Sequence, residues 1–126
     1  MLKKRYFGYC HCKKIAFNFF SRIEVTVIKC DCSICSPTRF LHLIIPHKDF
    51  FLDRGKDYLK TYSFGTKSAI HYFCKFCGIK SFYQPRSHKH SYSINYYSIY
   101  SPPKIEKVIN FKGSNYSENI KYIKTI

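Results

Sequence analysis

Seven cysteines in three tight clusters constrain this chain more than any other feature. They read Cys10-His-Cys12, Cys30-Asp-Cys32-Ser-Ile-Cys35 and Cys74-Lys-Phe-Cys77, and no cysteine lies outside them. An odd number cannot pair fully as disulfides, and neighbours one residue apart seldom meet disulfide geometry. No secretory signal is expected, because Cys10, His11, Cys12, Lys13 and Lys14 break any apolar stretch behind the basic Met1–Arg5. The expected compartment is therefore reducing, the cytoplasm with the nucleus as second choice. Clustered thiols there read as metal ligands.

Seven thiols do not fill two four-ligand sites. The pairs Cys10/Cys12 and Cys74/Cys77 can close a tetrahedral four-thiolate site, which has no open position and is structural. Gly78 follows the last ligand, where a turn with positive φ is often needed. The remaining trio, Cys30, Cys32 and Cys35, supplies three ligands. Three protein ligands with a vacant fourth place is the pattern of a catalytic zinc. The competing reading is that His42, His47 or another histidine closes this site and makes it structural too. Thiolate ligation also suits iron–sulfur clusters or Cu(I), but these Cys-x-Cys and Cys-x-x-Cys pairs look more like zinc knuckles than ferredoxin runs. Two zinc ions per chain are expected.

The chain has 126 residues, which suits one domain. With 45% hydrophobic residues, 12 Phe and 12 Tyr, it is too apolar to be disordered. The longest apolar run, Phe40–Ile45, is broken by His42, so no segment approaches the roughly 20 apolar residues of a membrane helix. Net charge is +15, from 22 Lys and Arg against 7 Asp and Glu, yet no basic run exceeds three residues. Charge so dispersed favours small anionic substrates and weak, sequence-independent binding to polyanions.

Alternation of apolar residues predicts a mainly β chain. Strands are expected over Ile15–Phe20, Ile23–Ile28, Phe40–Ile45, Tyr58–Phe64, Ala69–Phe73, Ile79–Tyr83, Ser91–Tyr97 and Val108–Phe111. Ser101-Pro-Pro reads as a surface loop, and Ser117 can start a helical turn through Lys121.

Six stretches together resemble one known family. They are Gly8-Tyr-Cys-His-Cys12, Cys30-Asp-Cys-Ser-Ile-Cys35, Tyr62-Ser-Phe64, His71-Tyr-Phe-Cys-Lys-Phe-Cys-Gly78, Ser81-Phe-Tyr-Gln-Pro-Arg-Ser87 and Phe111-Lys-Gly-Ser-Asn-Tyr116. In this order and spacing they resemble the glutathione-dependent formaldehyde-activating enzyme (GFA) family, most closely its centromere protein V branch. The resemblance implies an Mss4-like fold of several small antiparallel sheets organised around zinc. It implies a zinc domain over residues 5–116 with a tail over 117–126. It also implies a structural zinc on Cys10, Cys12, Cys74 and Cys77 and a second on Cys30, Cys32 and Cys35, the division that ligand counting gives. The implied activity is carbon–sulfur lyase chemistry, which joins glutathione and formaldehyde into S-hydroxymethylglutathione in the founding enzymes. Two residues depart from the family pattern: Lys13 stands where glycine is frequent, and the acidic Asp31 sits inside the second cluster. The long basic N-terminal region of centromere protein V is missing, so no cytoskeletal role is expected.

Two functions are compatible with these features. One is a zinc-dependent carbon–sulfur lyase, whose thiol substrate takes the vacant place beside Cys30, Cys32 and Cys35 while Arg86, with neighbouring Lys80, receives a carboxylate. The other is a non-catalytic zinc module that binds a macromolecular partner through its basic surface. The fourth ligand of the second zinc separates them. Of the remaining histidines, His71 reads as packed, His88 and His90 as solvated, and His11 as pointing away from metal.

Overall fold

β-branched and aromatic residues fit a pleated, half-buried surface, and they dominate the two sheets. The computed structural model describes residues 2–113 and 116–123. Within them β1 (Lys3–Tyr9) and β2 (Ala16–Arg22) form an antiparallel hairpin, followed by β3 (Glu24–Cys30), α1 (Cys35–Thr38), β4 (Leu41–Pro46), β5 (Phe50–Arg54) and β6 (Leu59–Tyr62). Then come β7 (Ile70–Cys74), β8 (Phe82–Gln84), β9 (Ser91–Asn95), β10 (Ile99–Tyr100), β11 (Lys104–Phe111) and α2 (Tyr116–Asn119). One sheet has the order β10-β1-β2-β5, the other β11-β3-β4-β9-β8-β7-β6. The architecture is mainly β, as the alternation predicts. All described pairs are antiparallel except β11 on β3, which is parallel.

The sheets share a core built on Phe17, Phe19, Val27 and Ile94, all fully buried. Phe17 stacks on Phe50 at 5.3 Å and meets Phe82 edge-on at 5.5 Å, which ties the hairpin sheet to the larger one. β2 is buried on both faces from Ala16 to Phe19, not half-buried. Its one polar residue there, Asn18, donates from Nδ2 to Asp53 Oδ1 at 2.7 Å, which supplies a partner for a buried amide.

Several elements depart from the sequence expectation. β1 and β5 escape the alternation pattern, β8 starts three residues after Ile79, and β11 starts at Lys104 instead of Val108. Ser101 and Pro102 are exposed, but Pro103 is buried and its carbonyl accepts from the Tyr96 hydroxyl at 2.6 Å. The C-terminal helical turn is present over Tyr116–Asn119 and continues as a 3₁₀ turn to Tyr122. Ile123 packs with Ile28 and Phe111 in a second small core. Ser114 and Asn115 of the last motif, and residues 124–126 of the expected tail, lie outside the described residues.

Candidate metal centres and the adjoining cavity

The β1–β2 turn carries Cys10 and Cys12; β7 ends on Cys74, and Cys77 follows in a tight knuckle. The knuckle closes because Gly78 takes φ 75° and donates its N–H to Cys74 O at 2.8 Å. The first turn needs the same handedness at Lys13, whose φ is 64°. Left-handed backbone suits glycine best, so the lysine here carries a conformational cost. The Cys10 and Cys12 sulfurs are 3.6 Å apart, as are those of Cys12 and Cys74. All four sulfurs lie within 4.8 Å of one another. The seven thiols are free. A tetrahedron with metal–sulfur bonds of about 2.3 Å has edges of about 3.8 Å, so the donor set fits zinc. Backbone amides of Ile15 and Phe76 approach Cys10 and Cys74 Sγ at 3.4 Å each and favour thiolate. Burial pushes Cys10 up to about 12. At Cys77 burial is outweighed by hydrogen bonds from the backbone of Cys12 and Ile79 and from neighbouring thiols, and the group falls to about 6.

The second cluster is local. Cys30 ends β3, Cys32 sits in the following bend, and Cys35 opens α1. The bend is set by Ser36, whose N–H and hydroxyl donate to Cys32 O and Asp31 O, both at 3.0 Å. These three sulfurs also lie within 4.8 Å of one another. Hydrogen bonds from Cys30 and Cys35 draw the Cys32 thiol far down, while the same sharing pushes Cys35 up. Three adjoining sulfurs cannot all shed protons without a cation between them. A soft divalent metal supplies that charge, so this donor set fits zinc as well.

No histidine joins this group among the described residues. His42 comes nearest: its Nε2 is 3.4 Å from Cys35 Sγ, and its Nδ1 faces Ser93 Oγ at 2.9 Å and Tyr83 OH at 3.2 Å. Burial, then the Lys80 charge, lowers it to about 3, so the ring is neutral. His47 is engaged elsewhere, donating from Nε2 to Gln84 Oε1 at 2.6 Å. His71 is packed, stacked on Tyr83 at 4.9 Å and on Phe64 at 5.9 Å. His11 and His90 are exposed; His88 is half-buried, with Nδ1 2.7 Å from Ser87 Oγ.

Beside the three thiols opens a cavity of about 440 Å³. Cys30, Cys32 and Cys35 line it together with His42, His71, Tyr83 and Arg86. Arg86 is exposed at its rim, the guanidinium 3.7 Å above the Tyr116 ring. Lys80 does not line it. Its ammonium turns inward, 3.1 Å from His71 Nδ1 and 4.4 Å above the Tyr83 ring. Sequence reasoning missed Gly113. A Cβ there would lie 2.5 Å from Cys30 Sγ and 2.9 Å from Cys32 Cβ, so only glycine lets the chain pass. The signal was the glycine inside the Phe111–Tyr116 motif.

A small β protein with a four-thiol and a three-thiol cluster, the latter beside a cavity, has donor sets that could hold metal ions. The family model described as glutathione-dependent formaldehyde-activating enzyme matches residues 5–111, and the chain belongs to that family. Its fold is similar to the crystal structure of a Rhodobacter sphaeroides protein. Identity to that protein is 30%, the TM-score is 0.68, and the match covers 75% of this chain and 88% of the other.

Proposed function

We propose that this chain is a zinc-dependent carbon–sulfur lyase that makes or breaks thiol–aldehyde adducts, of which glutathione with formaldehyde is the pair the family description implies. The observation that carries the reading is the position of Cys30, Cys32 and Cys35: three thiols without a fourth protein donor among the described residues, facing a cavity. Cys10, Cys12, Cys74 and Cys77 would hold a structural zinc and the trio a second. A zinc ion on the trio would supply acidity to a bound substrate thiol, since metal-coordinated thiols ionise outright.

The reaction balances simply. A sulfur–carbon bond forms as the carbonyl π bond opens, and the thiol proton ends on the former carbonyl oxygen; the reverse expels aldehyde and returns the thiol. The chain's own groups have definite parts. His42 fixes Cys35 through Nε2 and is itself oriented by Ser93 and Tyr83. Lys80 as a donor to His71 Nδ1 leaves the proton on Nε2. We assign that Nε2–H to the carbonyl oxygen, where a neutral donor stabilises the developing charge. Arg86 receives a substrate carboxylate, and Phe64 and Phe111 keep water from the reacting carbon. The protein would work in a reducing compartment such as the cytoplasm, where its thiols stay available for metal. No helix among the described residues is long and apolar enough to cross a membrane.

The test mixes formaldehyde and glutathione with the zinc-loaded protein and follows the hydroxymethyl proton signals by exchange NMR. Adduct exchange should run at least tenfold faster than without protein, and Cys32→Ser should abolish the gain. An unchanged rate with glutathione, and with 6-mercaptohexanoate in its place, would favour the non-catalytic zinc module that acts through its basic surface.

A further inference from the structure

The walls of the cavity say more about the thiol than its sulfur does. Ile28, Ile44, Phe64, Phe111 and Ile123 line it. Apart from the thiols, Arg86 is the only charged side chain among the described lining residues, and no carboxylate is among them. Both histidines of the wall are already engaged, His42 by Ser93 and Tyr83 and His71 by Lys80. Lys80 is held behind His71. Arg86 lies face-on over Tyr116. A stacked guanidinium keeps its in-plane N–H groups for a carboxylate.

Glutathione carries two carboxylates and an ammonium at neutral pH. Among the described lining residues this cavity offers a charged partner to one of those three groups, and burying a carboxylate and an ammonium unpaired is costly. A thiol with a hydrocarbon arm and one terminal carboxylate matches it at both ends. Each methylene moved from water to such walls strengthens binding roughly fourfold. We infer that the open cluster's substrate is an apolar thiol bearing a single carboxylate, held by Arg86, in preference to a zwitterionic peptide thiol. This rests on the thiol-adduct reading of the same site.

Calorimetric titration of the zinc-loaded protein tests it with 6-mercaptohexanoate, 6-mercaptohexanol and glutathione. All three share the sulfur, so differences report the arm. 6-Mercaptohexanoate should bind at least tenfold more tightly than glutathione. Arg86→Gln should weaken 6-mercaptohexanoate about tenfold, Arg86→Lys less, and both should leave 6-mercaptohexanol within twofold. Glutathione binding as tightly as 6-mercaptohexanoate overturns the inference. So does an Arg86→Gln loss shared equally by the alcohol, which would mark a structural arginine. Formaldehyde added to the same samples reads turnover separately. Tight, Arg86-dependent binding without adduct exchange upholds the substrate class and counts against the lyase. Adduct exchange with a preference for glutathione upholds the lyase and overturns the substrate class.

Discussion

Single atoms decide how the second cluster closes. Gly113 passes so near Cys30 and Cys32 that one added methyl group must displace a sulfur. Gly113→Ala should therefore lower the zinc content from two ions to one and cost about 1–3 kcal/mol, the usual range for overpacking. Metal analysis alongside thermal melting checks this, and two tightly held zinc ions in the variant would refute it. His71 gives a residue-scale pH dependence. Burial first, and the Lys80 charge second, lowers it to about 4, partly offset by the Cys32 thiol. The rings of Tyr62, Phe64 and Tyr83 pack against it. An unfolded chain protonates this imidazole near 6.5, so between pH 6.5 and about 4 the unfolded state binds more protons. The stabilisation is fully present above 6.5 and is lost as pH falls towards 4. His71→Phe keeps the ring stack and removes the titration. The stability difference between variant and parent should therefore shift by on the order of 2 kcal/mol across that window. Parallel denaturation curves at pH 7 and pH 4.5 would show it, and a constant difference would mean that His71 titrates normally.

The elements explain why the two metal sites differ in weight. Cys12 and Cys74 are 62 residues apart in sequence, one in the β1–β2 turn and the other at the end of β7. A metal there joins the two sheets, and its binding energy becomes folding energy. Cys30, Cys32 and Cys35 close only a bend, so their metal replaces little chain entropy. Cys74→Ser should leave an unfolded or insoluble chain. Cys32→Ser should stay folded with one zinc and lose thiol chemistry. A chelator should strip the open trio first, because its vacant place admits the competitor. Stepwise zinc release followed with melting of both variants is the measurement. Equal unfolding of the two would erase the distinction between a structural and a functional site. The division of the cysteines was legible because each of the three clusters is local and the trio is complete by itself; β3 was legible from local alternation and β4 from an apolar run stopped by Pro46. β1 was not, since its outward positions carry Lys3 and Arg5 and its inward ones include Gly8. The early start of β11 comes from parallel pairing with β3, Lys104 beside Glu24, and parallel pairing across so many residues leaves no mark in neighbouring positions. The cavity was equally hidden, because its walls come from β3, β4, β7, β8 and α2, and only the fold assembles them.

At the scale of the molecule, charge is the feature that neither the sheets nor the metal sites absorb. Two zinc ions on seven thiolates would lower the net charge by three from +15 and still leave the chain strongly basic. Lys3 pairs with Asp49 at 2.8 Å, but 7 acidic residues cannot neutralise 22 Lys and Arg. The excess is not gathered into a reading head. Among the described residues the cavity presents one cation, Arg86, and several others lie over aromatic rings, among them Arg5 on Phe20 and Lys14 on Phe76. Such a surface attracts phosphate backbones through counterion release and reads no bases. Binding to single- or double-stranded DNA of unrelated sequences should therefore be weak, nearly equal among them, and reduced at least tenfold between 50 and 200 mM salt. Fluorescence anisotropy with three unrelated oligonucleotides at both salt concentrations makes the comparison. Retention of one sequence at the higher salt while the others dissociate would place a specific nucleic-acid surface on this fold and revive the binding-module reading.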